Sequence, residues 1–300
     1  LHPIITHRLP YAEFTDGCEQ KSAALLPHVG TVDTARDLDV LRQAIGDDKL
    51  SYIGESYGTF LGEIYAQLFP THIRALVLDG VVDPTLDDVS EGRGQAKGFE
   101  TALSSFIANC AGGGHCALGA STSVAESKLD AFLNGLASKP LKGSDGRVLT
   151  RVLGFDAVAA AMYNPSSWPA LNAALESALK GSPAAMFALA DLLTGRQKDG
   201  SYTNELEANI AIDCADRPAA SASIEAAAAS ALAGRADGPT FGELLGWGNS
   251  ACIGWPVAAE LAPGPVRAAG APPILVIGTT RDPATPIAWA ESVAHQLESG

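Results

Sequence analysis

The chain has 300 residues, of which 47% are hydrophobic, so it can fill one large α/β core or a core that carries a sizeable insertion. A formal net charge of −14 argues against a nucleic-acid surface, because binding phosphates requires clustered Lys and Arg. No run of roughly 18 or more apolar residues occurs, so the sequence predicts no membrane span.

The chain begins without a clear pattern. Residues 1–32 contain three prolines and no periodicity, so we expect an irregular segment with a short helix near residues 19–26. From Asp33, a candidate N-cap, apolar residues recur at helical spacing until Gly46, which is typical of a helix end. They predict an amphipathic helix that packs one face on a core. These residues are Ala35, Leu38, Leu41 and Ile45.

A strand, a turn and a helix follow in direct succession. Residues 50–53 form a short apolar run typical of a buried strand, and residues 59–69 predict a helix that Pro70 ends. Residues 73–78 give a second apolar strand. Two strands joined through one helix predict a right-handed crossover in a parallel sheet.

The middle of the chain changes character. Residues 91–245 are rich in Ala, Ser and Gly and show few strand signals. We interpret them as a helical cap inserted between a core formed by residues 1–90 and a return to that core over residues 246–300. The clearest helical patterns in the insertion cover residues 156–162, 168–180 and 184–193.

The run Gly54-Glu-Ser-Tyr-Gly58 stands between the first strand and the next helix. A Gly-x-Ser-x-Gly sequence in this setting is typical of a nucleophile elbow, in which small flanking residues let strand and helix approach. Ser56 is therefore the predicted nucleophile, with an ordinary structural turn as the alternative. The N–H of Tyr57, at the helix start, is a candidate oxyanion donor. Glu55 is either a substrate contact or a solvated turn carboxylate.

A serine nucleophile needs a base and an acid that orients the base, in the chain order serine, acid, histidine. Residues 274–277 predict a returning strand, and residues 287–297 predict a helix. Asp282 follows that strand at its carboxyl end, where open α/β sheets build active sites, so it is the predicted acid. A turn residue is the alternative role, and Asp79, which also follows a strand, is the reserve candidate.

No histidine suits the role of base. Five of the six histidines precede Asp282, and His295 falls inside the helix predicted directly after it. A helical His295 on the back of the sheet would be remote from the strand ends. We therefore expect the catalytic histidine to lie outside this chain. The other five are His2, His7, His28, His72 and His115.

The cysteines point to an oxidising compartment. Cys110 and Cys116 bracket a Gly-rich loop that is flexible enough to close as a disulfide. Reduced structural thiols are an alternative. A zinc site that uses His115 would need four ligands, and the sequence supplies no second Cys or His pair at matching spacing, so we expect no metal. Cys18 has no evident partner.

Six stretches carry a specific resemblance. They are Asp33-Thr-Ala-Arg-Asp-Leu-Asp39, Gly54-Glu-Ser-Tyr-Gly-Thr-Phe-Leu-Gly62, Leu68-Phe-Pro70, Leu78-Asp-Gly80, Ile212-Asp-Cys-Ala-Asp216 and Asp282-Pro-Ala-Thr-Pro286. With these stretches the chain resembles the secreted tripeptidyl-aminopeptidase-like branch of the α/β-hydrolase peptidases, which is related to the prolyl aminopeptidases. The resemblance extends from about residue 18 to the end of the chain.

The resemblance implies the α/β-hydrolase fold, a mostly parallel sheet with helices on both faces and a large helical cap before the strand that carries the acid. It implies Ser56 as the nucleophile and Asp282 as the acid. It also implies two disulfides, which join Cys110 to Cys116 and Cys214 to Cys252.

The chain departs from that family in two places. The family has initial strands with a Gly-rich oxyanion loop, and no such run occurs near Leu1. The family also places its histidine after a further strand, beyond Gly300. No signal peptide is visible. We therefore expect an internal fragment without the N- and C-terminal core strands, nearly inactive by itself.

The leading interpretation is an exopeptidase that releases short peptides from free N-termini through an acyl-enzyme on Ser56. Glu207 and Asp213, with Glu205 and Asp216, are candidate contacts for the substrate ammonium, although a solvated or capping role is simpler for each. An esterase or lipase, and a noncatalytic binding domain on a hydrolase scaffold, are the alternatives. We expect no cofactor, a monomer, and a secreted or cell-envelope location.

Overall fold

The computed structural model describes residues 8–299, which form two compact units. The first unit takes the described chain up to Gly98 and again from Glu207 onward, and the second unit is Phe99–Leu206. The helices are α1 Arg8–Ser22, α2 Thr31–Ala44, α3 Tyr57–Leu68, α4 Asp88–Gly112, α5 Thr122–Ser138, α6 Arg151–Met162, α7 Trp168–Leu179, α8 Ala184–Thr194, α9 Glu205–Asp216, α10 Ile224–Gly234, α11 Gly242–Leu245 and α12 Ile287–Gln296. The strands are β1 Leu50–Glu55, β2 Ile73–Asp79, β3 Leu141–Lys142, β4 Val148–Leu149 and β5 Ile274–Ile277.

The sheet of the first unit is parallel, with the strand order β1–β2–β5. Gly54 pairs with Leu78, and Leu78 pairs with Val276, so the three strands end at the same edge of the sheet. Helix α3 connects β1 to β2 and packs against both. This arrangement confirms the predicted α/β class and the predicted connection of two parallel strands through one helix.

The core of the first unit lies between α3, β2 and α12. Tyr65, Leu78 and Val293 are completely buried there. Gly62 allows α3 to lie close to β2, because a Cβ at this position would come within 2.8 Å of the Leu78 side chain. Gly62 therefore has a packing role in this core.

One row of apolar side chains crosses the sheet with little cover. Ile53 pairs in register with Val77, and Val77 with Leu275, so the three side chains share one face. Ile53 is 70% exposed and Leu275 is 57% exposed. Parallel sheets normally have both faces covered. The described residues thus leave part of one face open.

The second unit consists mainly of helices, with a short antiparallel ribbon in which Leu141 pairs with Leu149. The ribbon is joined to α8 by Arg147, which donates to both carboxylate oxygens of Asp191 and lies 4.2 Å from the centroid of the Phe187 ring. This compact unit is shorter than the cap predicted over residues 91–245. The division into core, cap and returning core stays a prediction.

Most predicted elements of the first unit begin and end within about two residues of the expected positions, and β5 matches its predicted range. The expectation of an irregular start is wrong for residues 8–18, because Arg8–Ser22 forms α1, and the short helix expected near residues 19–26 overlaps the end of α1. Pro10 lies in the first turn, where a backbone N–H would have no partner inside the helix, so it does not interrupt α1. Residues 1–7 of that expectation lie outside the described residues.

The predicted N-cap of α2 is wrong. Gly30 precedes the helix with extended backbone, and Asp33 lies inside the first turn. The Asp33 carboxylate instead accepts a hydrogen bond from Arg36 Nη1 at 2.6 Å. The Asp33 side chain thus pairs on the helix surface and does not cap the helix.

The predicted apolar face of α2 is also wrong in part. Leu41 and Ile45 are 56% and 70% exposed, while the face that packs on α3 carries a buried ion pair. In that pair Asp39 accepts from Arg42 Nε at 2.8 Å and from the Tyr65 hydroxyl at 3.0 Å. Periodicity of apolar residues could not identify this face, because it is polar and satisfied by hydrogen bonds.

Candidate active site

Ser56 occupies the turn between β1 and α3. Its backbone has φ 52° and ψ −122°, a combination that residues with a side chain rarely adopt. The Ser56 N–H donates to Asp79 O at 3.1 Å, and its carbonyl oxygen accepts from Thr59 N at 2.9 Å and Thr59 Oγ1 at 2.6 Å. These bonds hold the strained turn and leave the side chain exposed at the carboxyl edge of the sheet.

Gly54 is required by the sharpness of this turn. A Cβ at Gly54 would collide with the carbonyl group of Gly58, whose carbon would lie 2.6 Å away. The Tyr52 hydroxyl donates to the same carbonyl oxygen at 2.8 Å and closes the turn from the strand side. The strand and the helix can therefore approach only because residue 54 has no side chain.

Asp282 follows β5, at the same edge of the sheet. Its Oδ1 accepts hydrogen bonds from the N–H groups of Ala284 at 2.9 Å and Thr285 at 2.8 Å. These two bonds fix the orientation of the half-buried carboxylate. The loop thus holds Asp282 as a rigid acceptor.

The loop of Asp282 and the turn of Ser56 meet at Gly80. The Gly80 N–H donates to Ile277 O at 3.0 Å, and its backbone has φ 67°. A Cβ at Gly80 would lie 3.0 Å from Thr285 Oγ1 and 3.9 Å from Ser56 N. Sequence reasoning gave neither Gly80 nor Thr285 a role, although both fall in the stretches noted above. The signal for Gly80 was its position directly after β2, and the signal for Thr285 was its place in the loop that follows β5.

Tyr57 is the first residue of α3, directly after Ser56. The first N–H groups of a helix have no acceptor inside the helix, so the Tyr57 N–H is able to donate to an oxyanion at Ser56. The Tyr57 side chain is half-buried, and its hydroxyl lies 2.5 Å from Thr31 Oγ1. Burial raises the pKa of Tyr57 to about 12, so the phenol stays protonated at neutral pH.

Asp216, the last residue of α9, holds the residue that contacts Tyr57. Its Oδ1 accepts from Thr31 N and its Oδ2 accepts from Thr31 Oγ1, both at 2.5 Å. Asp216 is 2% exposed and Thr31 is completely buried. The carboxylate that was considered for a substrate ammonium therefore serves Thr31, and sequence reasoning missed Thr31.

Asp213 lies one turn before Asp216. Burial, followed by the negative charges of Glu91 and Asp216, raises the pKa of Asp213 to about 7. The neighbouring Arg217 lies 3.1 Å from Glu91 and 4.6 Å above the centroid of the Phe60 ring, in the first turn of α3. The charge of Asp213 also acts on Tyr57, the residue after Ser56, and a carboxyl group whose pKa is raised to about 7 beside a candidate nucleophile turn is typical of a functional site. By contrast, Glu55 and Glu207 are exposed.

The four histidines that the structure describes contact other groups. Nδ1 of His28 lies 2.7 Å from Asp33, and Nδ1 of His72 lies 2.8 Å from Asp39. His115 and His295 contact Glu176 and the carbonyl of Glu291. His2 and His7 lie outside the described residues. The base that Ser56 needs stays unassigned among residues 8–299.

Both expected disulfides are present. Cys110 is bonded to Cys116 in the second unit, and Cys214 to Cys252 in the first. The second bond joins the end of α9 to the chain that follows α11. Within the described chain Cys18 is not in a disulfide, and burial raises the pKa of its thiol.

Residues 8–299 contain neither a membrane-spanning helix nor a cluster of metal-binding side chains. None of these helices has the length and apolar character needed to cross a bilayer. No group of three or more His, Cys, Asp or Glu side chains in the same range has an arrangement that could hold a metal ion.

Family models match both ends of the chain. A model described as alpha/beta hydrolase fold matches residues 16–191, and one described as TAP-like protein matches residues 238–300.

Curated relatives match nearly the whole chain. "Serine protease Hip1" of Mycobacterium tuberculosis is 36% identical over 296 residues, which are 95% of this chain and 57% of the relative. "Carboxylesterase B" of the same species is 36% identical over 291 residues, which are 96% of this chain and 56% of the relative. "Tripeptidyl aminopeptidase" of Streptomyces lividans is 31% identical over 296 residues, which are 96% of this chain and 53% of the relative. The chain thus spans about half the length of these relatives.

Proposed function

The chain belongs to the α/β-hydrolase family, with a TAP-like C-terminal part, and on that basis we propose that it carries the nucleophile of a secreted serine exopeptidase. The observation that carries the proposal is the backbone of Ser56. It is held in a strained conformation at the start of α3, beside the loop of Asp282. A plain turn has no need of such strain.

In the proposed reaction, a histidine takes the proton of Ser56 Oγ while that oxygen attacks the carbonyl carbon of a peptide bond. The Tyr57 N–H stabilises the resulting oxyanion. The histidine then gives the proton to the leaving amine, and water hydrolyses the acyl-enzyme. Asp282 accepts the other N–H of the histidine and keeps the ring in the required tautomer.

A substrate with a free N-terminus fits the acidic side chains near the elbow. We assign the ammonium of the substrate to Asp213, because a cation would stabilise the ionised form of a carboxyl whose pKa is raised to about 7. Glu55 and Glu207, both exposed, are assigned as outer contacts. The peptidase names of two relatives favour an amide substrate, and the carboxylesterase name keeps an ester substrate as the second candidate.

The base and the second oxyanion donor are assigned to residues outside 8–299. This follows from the contacts of the four described histidines, each of which faces another group. We further propose that the base lies beyond residues 1–300, so that these residues alone are nearly inactive. The two disulfides favour an oxidising compartment, and with it a secreted or cell-envelope location. We also propose a monomer.

The test uses the whole protein and a fluorophosphonate probe. We expect labelling at Ser56 and its loss in Ser56→Ala, while Ser51→Ala, an exposed serine on the same strand, is labelled like the wild type. An unlabelled wild type would favour the noncatalytic scaffold. Labelled protein that cleaves an acyl ester far faster than a tripeptide anilide with a free amine would favour the esterase.

A further inference from the structure

Three distant segments of the first unit meet at one buried threonine. Thr31 is the first residue of α2, Tyr57 is the first residue of α3 and Asp216 is the last residue of α9. The Thr31 hydroxyl lies 2.5 Å from the Tyr57 hydroxyl, and Asp216 accepts from Thr31 through both carboxylate oxygens. The ends of three helices are thus joined by a continuous chain of hydrogen bonds.

The direction of each bond follows from counting hydrogens. The Thr31 hydroxyl donates to Asp216 Oδ2, and this bond uses its single hydrogen. The Thr31 oxygen then accepts from the Tyr57 hydroxyl. Asp216 thereby determines the orientation of Thr31, and Thr31 determines that of the Tyr57 ring.

Asp216 is itself held from several sides. Its carbonyl oxygen accepts from Leu261 N at 2.8 Å, and the carbonyl oxygen of Ala215 accepts from Glu260 N at 2.9 Å. The disulfide at Cys214 lies two residues away. A Cβ at Gly30 would lie 3.0 Å from Asp216 Oδ1, so the chain before Thr31 also fits closely around the carboxylate. The anchor is rigid enough to position other groups.

We propose that Asp216 and Thr31 are positioning residues for the oxyanion donor. By fixing the Tyr57 side chain, they fix the N–H of the same residue, which directly follows Ser56. The inference rests on the proposed function, because it needs an oxyanion to form at Ser56. Two carboxylates that lie one turn apart on α9 thus have different roles. Asp213 acts on substrate binding, and Asp216 acts on the chemical step.

The test measures kcat and KM of the whole protein on a tripeptide anilide, together with fluorophosphonate labelling. Complete loss of an oxyanion donor costs about 100-fold to 1,000-fold in kcat, so its misplacement in Thr31→Val should cost roughly tenfold with KM nearly unchanged. Thr31→Ser keeps the hydroxyl and should stay within about threefold of the wild type. Asp216→Asn should lower kcat, whereas Asp213→Asn should raise KM.

A double-mutant cycle separates positioning from loss of stability. Tyr57→Phe keeps the ring and the N–H but removes the hydroxyl, so it should lower kcat like Thr31→Val, and the double variant should be no worse than either. It also keeps the test available if the buried Thr31 variant does not fold. Additive losses, an unchanged kcat in Tyr57→Phe, or failure of Thr31→Ser to restore kcat would overturn the inference. If the fluorophosphonate does not label the wild type, the proposed function itself is contradicted, because Ser56 is then not a reactive nucleophile.

Discussion

At the residue scale, a buried carboxyl on the nucleophile helix is the largest departure from ordinary side-chain behaviour. Glu63 of α3 is completely buried, and among the described residues neither of its carboxyl oxygens has a hydrogen-bond partner. Burial, followed by the negative charge of Asp83, raises its pKa well above the usual range, while Arg217 opposes the shift. The direction of this shift favours the protonated form of Glu63 in the folded protein.

This protonation predicts a loss of stability with rising pH. Because the folded state holds the proton more tightly than the unfolded state, the stability that neutral Glu63 contributes is complete below its ordinary pKa and is lost as the pH rises toward the folded pKa. Glu63→Gln stays uncharged and should be more stable than the wild type by over about 1 kcal/mol near pH 8. The two should differ by less than about 0.5 kcal/mol near pH 4.

Urea denaturation of the whole protein at both pH values measures this difference. Glu126→Gln is the matched control, because Glu126 is exposed on α5 and should give the same free energy of unfolding as the wild type at each pH. If Glu63→Gln and the wild type have the same free energy of unfolding at both pH values, Glu63 is ionised in the folded state.

The sequence predicted site residues where a local motif carried the information. Ser56 was predicted as the nucleophile from the glycines around it, and Asp282 as the acid from its place after a returning strand, and both roles stay predictions. Thr31 could not be identified, because its partner Asp216 is 185 positions away and no local pattern connects them. Glu63 could not be identified either, since a glutamate within a helix is normally expected on the solvent side.

At the element scale, the two disulfides close loops of different length. Cys110 and Cys116 are six positions apart at the end of α4, whereas Cys214 and Cys252 are 38 positions apart and connect α9 with a later segment. Constraint of the unfolded chain grows with the length of the closed loop. The longer loop should therefore provide more stability.

Replacing each pair by serine in the whole protein tests this. The loss in the free energy of unfolding should be about 4 kcal/mol for Cys214→Ser/Cys252→Ser and about 2 kcal/mol for Cys110→Ser/Cys116→Ser, from loop-closure entropy alone. The first variant should also have a lower kcat, because its disulfide lies beside Asp216. Equal losses of stability, or an unchanged kcat in the first variant, would contradict this account.

Elements with strong periodicity were predicted well, and those stabilised by distant contacts were not. The strands around Ser56 and Asp282 are short apolar runs between clear turns, so their positions followed from the sequence. Helix α1 carries few apolar positions in register, and its three nearby prolines suggested a loop. The polar face of α2 depends on Asp39, which accepts from the Tyr65 hydroxyl and lies 2.8 Å from His72 Nδ1, and only the folded chain brings these residues to α2.

At the scale of the whole molecule, the side chains of Ile53 and Leu275 leave an apolar part of the sheet uncovered, and we expect more protein to cover it. An exposed apolar row on a parallel sheet is unfavourable in water, and the curated relatives are nearly twice as long as the matched region. We expect the same additional chain to supply the histidine and the second oxyanion donor.

The last prediction compares residues 1–300 with the whole protein. In the serine protease subtilisin, loss of the histidine alone costs about 10⁶ in kcat, so residues 1–300 should hydrolyse a tripeptide anilide at least about 10⁴-fold more slowly than the whole protein. Changing His2 and His7 to alanine in residues 1–300 should not lower this rate further. The Ser56→Ala variant of the whole protein should hydrolyse the anilide at a rate similar to that of residues 1–300. Activity of residues 1–300 within about tenfold of the whole protein would mean that a base for Ser56 lies among these residues, and a further loss in the histidine variants would identify it.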